Sequence, residues 1–458
     1  MAQNFLPCDR EQELLLPPSL REWLPEDHLA WFVLDAVEEI DLSAFYGAYR
    51  EDGWGRAAFE PQMMVALVLY AYAVGERSSR QIERRCREDL AFRVLTANQI
   101  PDHATIARFR ARHEQALAGT FTQVLALCAK AGLVSVGVVA LDGSLLSGNA
   151  SPGATRSYTS IREEVERMLA QAAEADAAED ERLGEARGDE LPAELVDARS
   201  RRERLRRCKE ELEQAQAEEE ATYRAKLEWR AAWEAEHGRR LTGRKPTPPD
   251  AAALAGRRIN TTDPDTRLMK RAGGRSVQGY NVQVVASPEQ VIVAAQVTQS
   301  HNDSDQLAPM VVQAASVLRE AGIQEPIGTV LADGGYWNSP AITEVRGQGI
   351  DVLIPTQDRR RTAPRKLSPR QGDEARRIEA VLSKPEGQAL YRRRQQIVEP
   401  VFAHTKFIRR SDRFLRRGLA ACQAEWQLIA TTHNLLKLWR AGLAGAGTGD
   451  PAPLTLAG

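Results

Sequence analysis

The sequence is poor in the residues that bind soft metals or cross-link a fold. Its five cysteines, Cys8, Cys86, Cys128, Cys208 and Cys422, lie far apart with no Cys-x2-Cys pair. That argues against a disulfide framework or a zinc site and suits a reducing cytoplasm. No His-x3-His spacing offers paired imidazoles. The longest apolar run, MMVALVLYAYAVG, is about 13 residues, well short of the roughly 20 that a membrane helix needs. The opening MAQNFLPCDREQE lacks the basic-then-apolar pattern of a signal peptide. The expectation is a cytoplasmic protein, associated with the nucleoid if it binds DNA.

What the 458 residues do contain is charge, unevenly placed. The net charge of −2 hides an acidic block and a basic one. Residues 161–240 hold 23 Asp/Glu against 16 Lys/Arg, and residues 358–417 hold 18 Lys/Arg against 7 Asp/Glu. The second block is a candidate phosphate-binding surface.

The residue pattern divides the chain into four stretches. Residues 1–130 read as helical: PQMMVALVLYAYAVG with Pro61 in its first turn, SSRQIERRCREDLAFRVLT, and PDHATIARFRARHEQAL capped by Asp102. Short helices with one basic face resemble a helix-turn-helix module, a plain helical bundle being the alternative. Residues 155–250 are Ala/Glu/Arg-rich and helix-forming, with a thin seam of Leu205, Cys208 and Leu212 that Glu219 interrupts. They predict a protruding helical hairpin or short coiled coil. Residues 134–154 and 255–440 alternate apolar strands with helices: SVGVVALDG, the hairpin GYNVQVVAS/QVIVAAQVT, GTVLADGGYW and IDVLIPT. Residues 441–458 read as a loose tail.

Two of these strands end in Asp-Gly, at Asp142 and Asp333. Each alone is most simply a turn. If the strands are neighbours, both carboxylates converge at one sheet edge, where open α/β sheets place their sites. Glu399, the only acid between Glu386 and Asp412 in a dense run of cations, is the best third acid. Three carboxylates without His or Cys suit a hard cation such as Mg²⁺. Two such ions could activate and stabilise the oxygens of a phosphodiester displacement, with Mn²⁺ as a possible substitute.

On GWGRAAFEPQMMVALVLYAYAVGERSSRQIERRCREDLAFRVL, PDHATIARFR, LDGSLLSGNAS, DPDTRLMK, VQGYNVQVV, LADGGYW and YRRRQQIVEPVFAHTK, the chain resembles a bacterial insertion-sequence transposase of the DDE kind. The resemblance implies a ribonuclease-H-like α/β core, split by the helical insertion between its first two strands, behind an N-terminal all-α DNA-binding domain. It implies Mg²⁺-dependent cutting and joining of double-stranded DNA at an element's terminal inverted repeats, by a dimer or larger assembly. Asp142, Asp333 and Glu399 then match the three metal-binding catalytic acids. Arg392, Arg394, Lys406, Arg409 and Arg410 around Glu399, Lys270 with Arg271 and Arg275 in a Gly-containing loop, and Arg80, Arg84 and Arg108 in the N-terminal helices are expected DNA contacts. A domesticated, catalytically idle DNA-binding protein and an RNase-H-like nuclease or resolvase are the alternatives.

One departure from the pattern stands out. Related transposases carry Tyr-x2-Arg-x3-Glu-x6-Lys on the last catalytic helix, whereas here four residues separate Arg394 from Glu399. Pro400 clashes with a regular helix, so a kink, bulge or new start there is expected to absorb the extra residue and let Arg394 approach the site. His301 and His404 read as polar packing or DNA contacts. Trp337 reads as a core aromatic, with stacking on an unpaired base as the alternative.

Overall fold

A helix that is apolar all round must be buried all round, and Pro61–Ala73 is the first element to show it: every residue but Gln62 is buried. Pro61 occupies the first turn and the Glu60 carboxylate accepts from the Met63 amide, 2.6 Å away. The computed structural model describes residues 19–49, 57–168, 201–243, 245–250, 253–270, 276–356 and 369–447. Cys8, Arg271, Arg275, residues 169–200 of the acidic block and the tail from 448 lie outside the described residues. Of the cysteines, Cys86, Cys128, Cys208 and Cys422 are buried and free.

The second expected N-terminal helix is two. Ser79–Glu88 stops at Asp89, whose extended backbone (φ −114°, ψ 127°) and carboxylate cap a new helix, Leu90–Leu95, through the amides of Ala91 and Phe92. A side-chain acceptor that satisfies orphan amides is what makes Asp favourable at such a junction. His103–Arg112, capped by Asp102, and Glu114–Lys130 complete the region. The described helices are nowhere long and apolar enough to cross a membrane.

Among the described residues eight strands follow: β1 Val138–Ser147, β2 Thr155–Ser157, β3 Arg258–Asn260, β4 Arg267–Lys270, β5 Ser276–Ala286, β6 Ile292–Thr298, β7 Thr329–Leu331 and β8 Asp351–Leu353. The main sheet runs β4-β5-β1-β7-β8, with β6 also paired to β5, and it is mixed: β1 is antiparallel to β5 and parallel to β7. The sheet, the N-terminal helices and the last helix, Leu419–Gly447, share one hydrophobic core. That last helix packs on Glu114–Lys130, on Pro61–Ala73 and on β6.

The charged insertion leaves the sheet after β1. Its base is the two-stranded pair β2/β3, and a helical stretch at 158–168 packs Ile161 and Val165 against Leu205, Cys208 and Leu212 of a 37-residue helix, Arg201–His237. The predicted seam is therefore buried, and it ends where Glu219 turns aside to pair with Arg257. Lys270, expected in a loop, instead ends β4, with its side chain exposed.

Candidate active site

β1 does not end at Asp142. It continues through Gly143 to Ser147, because its β5 edge stays paired for all eight residues from Ala140. What ends is its other partner: β7 pairs only as far as Ala140↔Leu331. Past that point one edge of β1 is open, until the chain at 412–414 closes it at Ser147. Asp142 lies in this opening, and Asp333 follows β7 into it from the neighbouring strand. Asp333 caps a short turn, Gly334–Tyr336, by accepting from the Gly335 amide at 2.8 Å.

The helix Pro385–Ala403 packs across β1 and β5. From it Arg394 Nη1 donates to Asp142 Oδ2 at 3.0 Å, the two side chains 12% and 20% exposed. Asp142 Oδ1 accepts from the Gly143 amide at 2.8 Å. Burial pushes the Asp142 carboxyl up to about 6; the Arg394 guanidinium opposes that rise, while Asp333 and Asp303 add to it. The edge thus holds more negative charge than Arg394 balances.

Gly143 is not a turn glycine. A Cβ there would stand 2.5 Å from Gln283 Nε2, 2.9 Å from Asp303 Oδ1 and 3.1 Å from the Tyr336 hydroxyl. Gln283 is the residue directly opposite Gly143 in β5. Its Nε2 donates to Asp303 Oδ1 at 2.7 Å, and Asn281 Nδ2 donates to the same oxygen at 2.7 Å. Tyr336 donates its hydroxyl proton to Gln283 Oε1. Burial, with Asp303, Asp142 and Asp333 nearby, raises the Tyr336 hydroxyl far above its ordinary value, so it stays a donor.

Residues 18–112 match the model of a transposase domain (DUF772), and residues 248–435 match that of a transposase DDE domain. The chain belongs to the insertion-sequence transposases of the DDE kind. No curated protein and no solved structure matches it. The transposase is therefore a DNA-cleaving or DNA-transferring enzyme, of a family that generally uses divalent metal ions. Asp333 and Glu399 fall within the DDE match; Asp142 precedes it.

The acids at the open edge offer oxygen ligands only, which fits a hard divalent ion. Among the described residues no three His, Cys, Asp or Glu surround one point closely enough to hold a metal. The cation on Asp142 is the Arg394 guanidinium. Glu399 is exposed on the same helix and acts on Arg394 electrostatically.

That helix corrects the expectation at Pro400. It stays α-helical to Ala403, and the irregular turn, a π-helical one, comes later at His404–Ile408. The Gln396 carbonyl, deprived of its donor by Pro400, accepts instead from Gln290 Nε2 at 3.1 Å. Arg394 reaches Asp142 without a break in the helix.

Several expected DNA contacts are bound internally. Arg409 is buried, donating to the Tyr72 and Ile429 carbonyls and to Thr432, so it cannot grip a DNA backbone. Lys406 Nζ donates to Ser144 Oγ at 2.7 Å and to the Leu145 carbonyl at 3.2 Å, on the open stretch of β1. Arg392, Arg410, Arg80, Arg84 and Arg108 are exposed. Arg110 is turned inward onto Tyr72, Arg77 and Ser79. His404 is buried against His433, and Trp337 is a core aromatic. Asp303, Gln283, Asn281 and Tyr336 were not anticipated. The available signal was Asn281 and Gln283, two polar residues on one face of the otherwise apolar second half of β5, NVQVVA.

Proposed function

We propose that Asp142, Asp333 and Glu399 form the catalytic centre of a transposase that cuts its element's ends and joins them to target DNA. The observation that carries this reading is the arrival of Asp142 and Asp333 side by side where the parallel β1/β7 pair ends. The core is read as ribonuclease-H-like: a mixed sheet with the site at the mouth of its parallel pair and a final helix laid across it.

Asp142 and Asp333 would hold magnesium, with Glu399 completing the shell. When bound, the metal supplies positive charge to a phosphodiester displacement. In the first step a water oxygen bonds to phosphorus and the bond to the 3′ oxygen breaks, freeing a 3′-hydroxyl. In the second, that hydroxyl's oxygen bonds to a phosphorus of target DNA as the target's bond to its own 3′ oxygen breaks, and the departing oxygen takes up the proton that the attacking hydroxyl gives up. Arg394 keeps Asp142 partly neutralised until an ion takes its place. Lys406 holds the open stretch of β1 in line by its bonds to Ser144 and Leu145. Arg392 and Arg410, both exposed, would take phosphates of the bound DNA, and Lys270 would meet the backbone beyond β4. Arg80, Arg84 and Arg108 would contact the terminal repeat from the N-terminal domain. Two copies acting together, in the cytoplasm, would bring two ends to one target.

The test is cleavage of DNA carrying the element's terminal repeats. Asp142→Ala should abolish Mg²⁺-dependent cutting and leave DNA binding in a gel-shift assay intact. Cutting that survives the substitution would overturn the assignment.

A further inference from the structure

The turn that carries Asp333 is fastened to a strand it does not neighbour. β7 pairs with β1, yet Tyr336 reaches past β1 to donate to Gln283 on β5. The path exists because Gly143 has no side chain: its missing Cβ would stand 3.1 Å from the Tyr336 hydroxyl and 2.5 Å from Gln283 Nε2. The far end is anchored as well. Gln283 is oriented by Asp303 Oδ1, which Asn281 also holds, and Asn281 Oδ1 takes a second bond from Gln283 Nε2 at 3.1 Å. Gln283 can therefore present only its oxygen to Tyr336. On the turn side, Gly335 lets the chain pass close to both Asp333 and Asp303, 2.9 and 3.7 Å from where a Cβ would stand.

We infer that Tyr336 is a positioning residue for the reaction, its hydroxyl forming a brace through Gln283 to Asp303 that fixes the Asp333 carboxylate relative to Asp142. The chain of reasons is geometric. Asp142 rides on β1, which is held by β5. Asp333 lies beyond the last β7 residue that pairs with β1, so the β-ladder itself does not fix its distance. The brace supplies the constraint by tying residue 336 to the β5 residue opposite Gly143. An ion shared by the two carboxylates depends on that distance, because ligand spacing sets affinity and supporting hydrogen bonds commonly change it by about 10–100-fold.

The inference rests on the proposed function, since it assumes that Asp142 and Asp333 share an ion. The experiment uses the full-length protein, with Mn²⁺ binding followed by calorimetry and cleavage of repeat-bearing DNA followed in steady state. Tyr336→Phe removes one oxygen and keeps the buried ring. It should weaken Mn²⁺ binding about tenfold and lower kcat, with KM for DNA unchanged. Gly143→Ala, which blocks the brace from its other side, should do the same, and the double variant should lose no more than the worse single one. Asp142→Asn is the control. If it loses Mn²⁺ while Tyr336→Phe binds as the wild type does, the brace is wrong and the proposed function stands. If Asp142→Asn binds Mn²⁺ as tightly as the wild type, both fall. Additive losses in the double variant would also overturn the brace, since they would mean two separate effects.

Discussion

At the seam between the N-terminal helices and the C-terminal helix, the buried side chains of Arg77, Arg409 and Glu425 all find hydrogen-bond partners. Arg77 donates to Glu425 at 2.8 Å and to the carbonyls of Arg413 and Arg410; Glu425 also takes the amides of Leu415 and Arg416. Arg409 beside it finds an acceptor for each of its nitrogens. At the open edge of β1 the balance is different. Asp142 has one cation, Asp333 accepts from its own turn, and Asp303 Oδ2 faces Gly335 with no donor among the described residues. The seam is a cluster whose polar groups satisfy one another and so hold the fold. The edge keeps carboxylate lone pairs unmatched, at the expense of stability, as the proposed metal site requires.

The comparison breaks most visibly if Glu425 is removed. Glu425→Ala leaves Arg77 buried without its partner and should lower unfolding free energy by about 3–5 kcal/mol, read from denaturant midpoints. A loss under about 1 kcal/mol would mean the seam behaves like a surface pair.

At the edge the sign should reverse. The Asp142 carboxyl is raised to about 6 in the fold from an ordinary 3.8, so its favourable contribution is full below the lower value and lost as pH rises through the upper one. In metal-free protein, Asp142→Asn should therefore gain on the order of 1–3 kcal/mol at pH 7 or above, and the gain should vanish below about pH 4. A stability loss at neutral pH would place Asp142 among the structural groups.

A milder test uses the buried histidine pair. His404 and His433 meet at 3.1 Å, and His433 Nε2 donates to the Gln290 carbonyl at 2.9 Å, so His433 accepts from His404 at Nδ1. Burial lowers both, to about 4 and about 3, from 6.5. Depressed histidines contribute stability above the unfolded value that is lost as pH falls toward the folded one. At about pH 5, unfolding should take up close to two protons at this pair, and fewer toward pH 6.5 or 4, measurable as the slope of stability against pH and diminished in His433→Gln. An unchanged slope in that variant would show the pair already charged in the fold.

The smallest effect is expected far from both clusters. Arg84 and Glu88 pair on an exposed helix face, 65% and 56% exposed. Arg84→Ala should change stability by less than about 0.5 kcal/mol. Binding to repeat-bearing DNA should weaken, with a shallower dependence on salt. DNA affinity equal to the wild type at low salt would remove Arg84 from the proposed contact surface.

Much of this arrangement was legible in the chain. Periodicity placed the buried helix at Pro61, the thin seam at Leu205, Cys208 and Leu212, and the hairpin of β5 and β6, because burial of one face leaves a repeat that can be counted. Asp142 and Asp333 stood out because each follows an apolar run. Less legible was the fate of individual cations. Arg392, Arg394, Arg409 and Arg410 look alike in a basic run, yet one pairs with Asp142, one is buried under the N-terminal helices, and two face solvent. A cation's role depends on which acceptors other segments bring to it, and those segments lie hundreds of residues away.

The same division runs through Asp142 and Gly143. Local pattern alone determined that a strand enters here and that a carboxylate follows its apolar residues. Whether Asp-Gly is a turn or the middle of a strand was decided by β5, which continues to pair, and by β7, which does not. The glycine's purpose was decided by Tyr336 and Gln283, which meet in the space it leaves. Such contacts join residues through three dimensions, and neither propensity nor spacing along one chain encodes a gap that only a distant side chain fills.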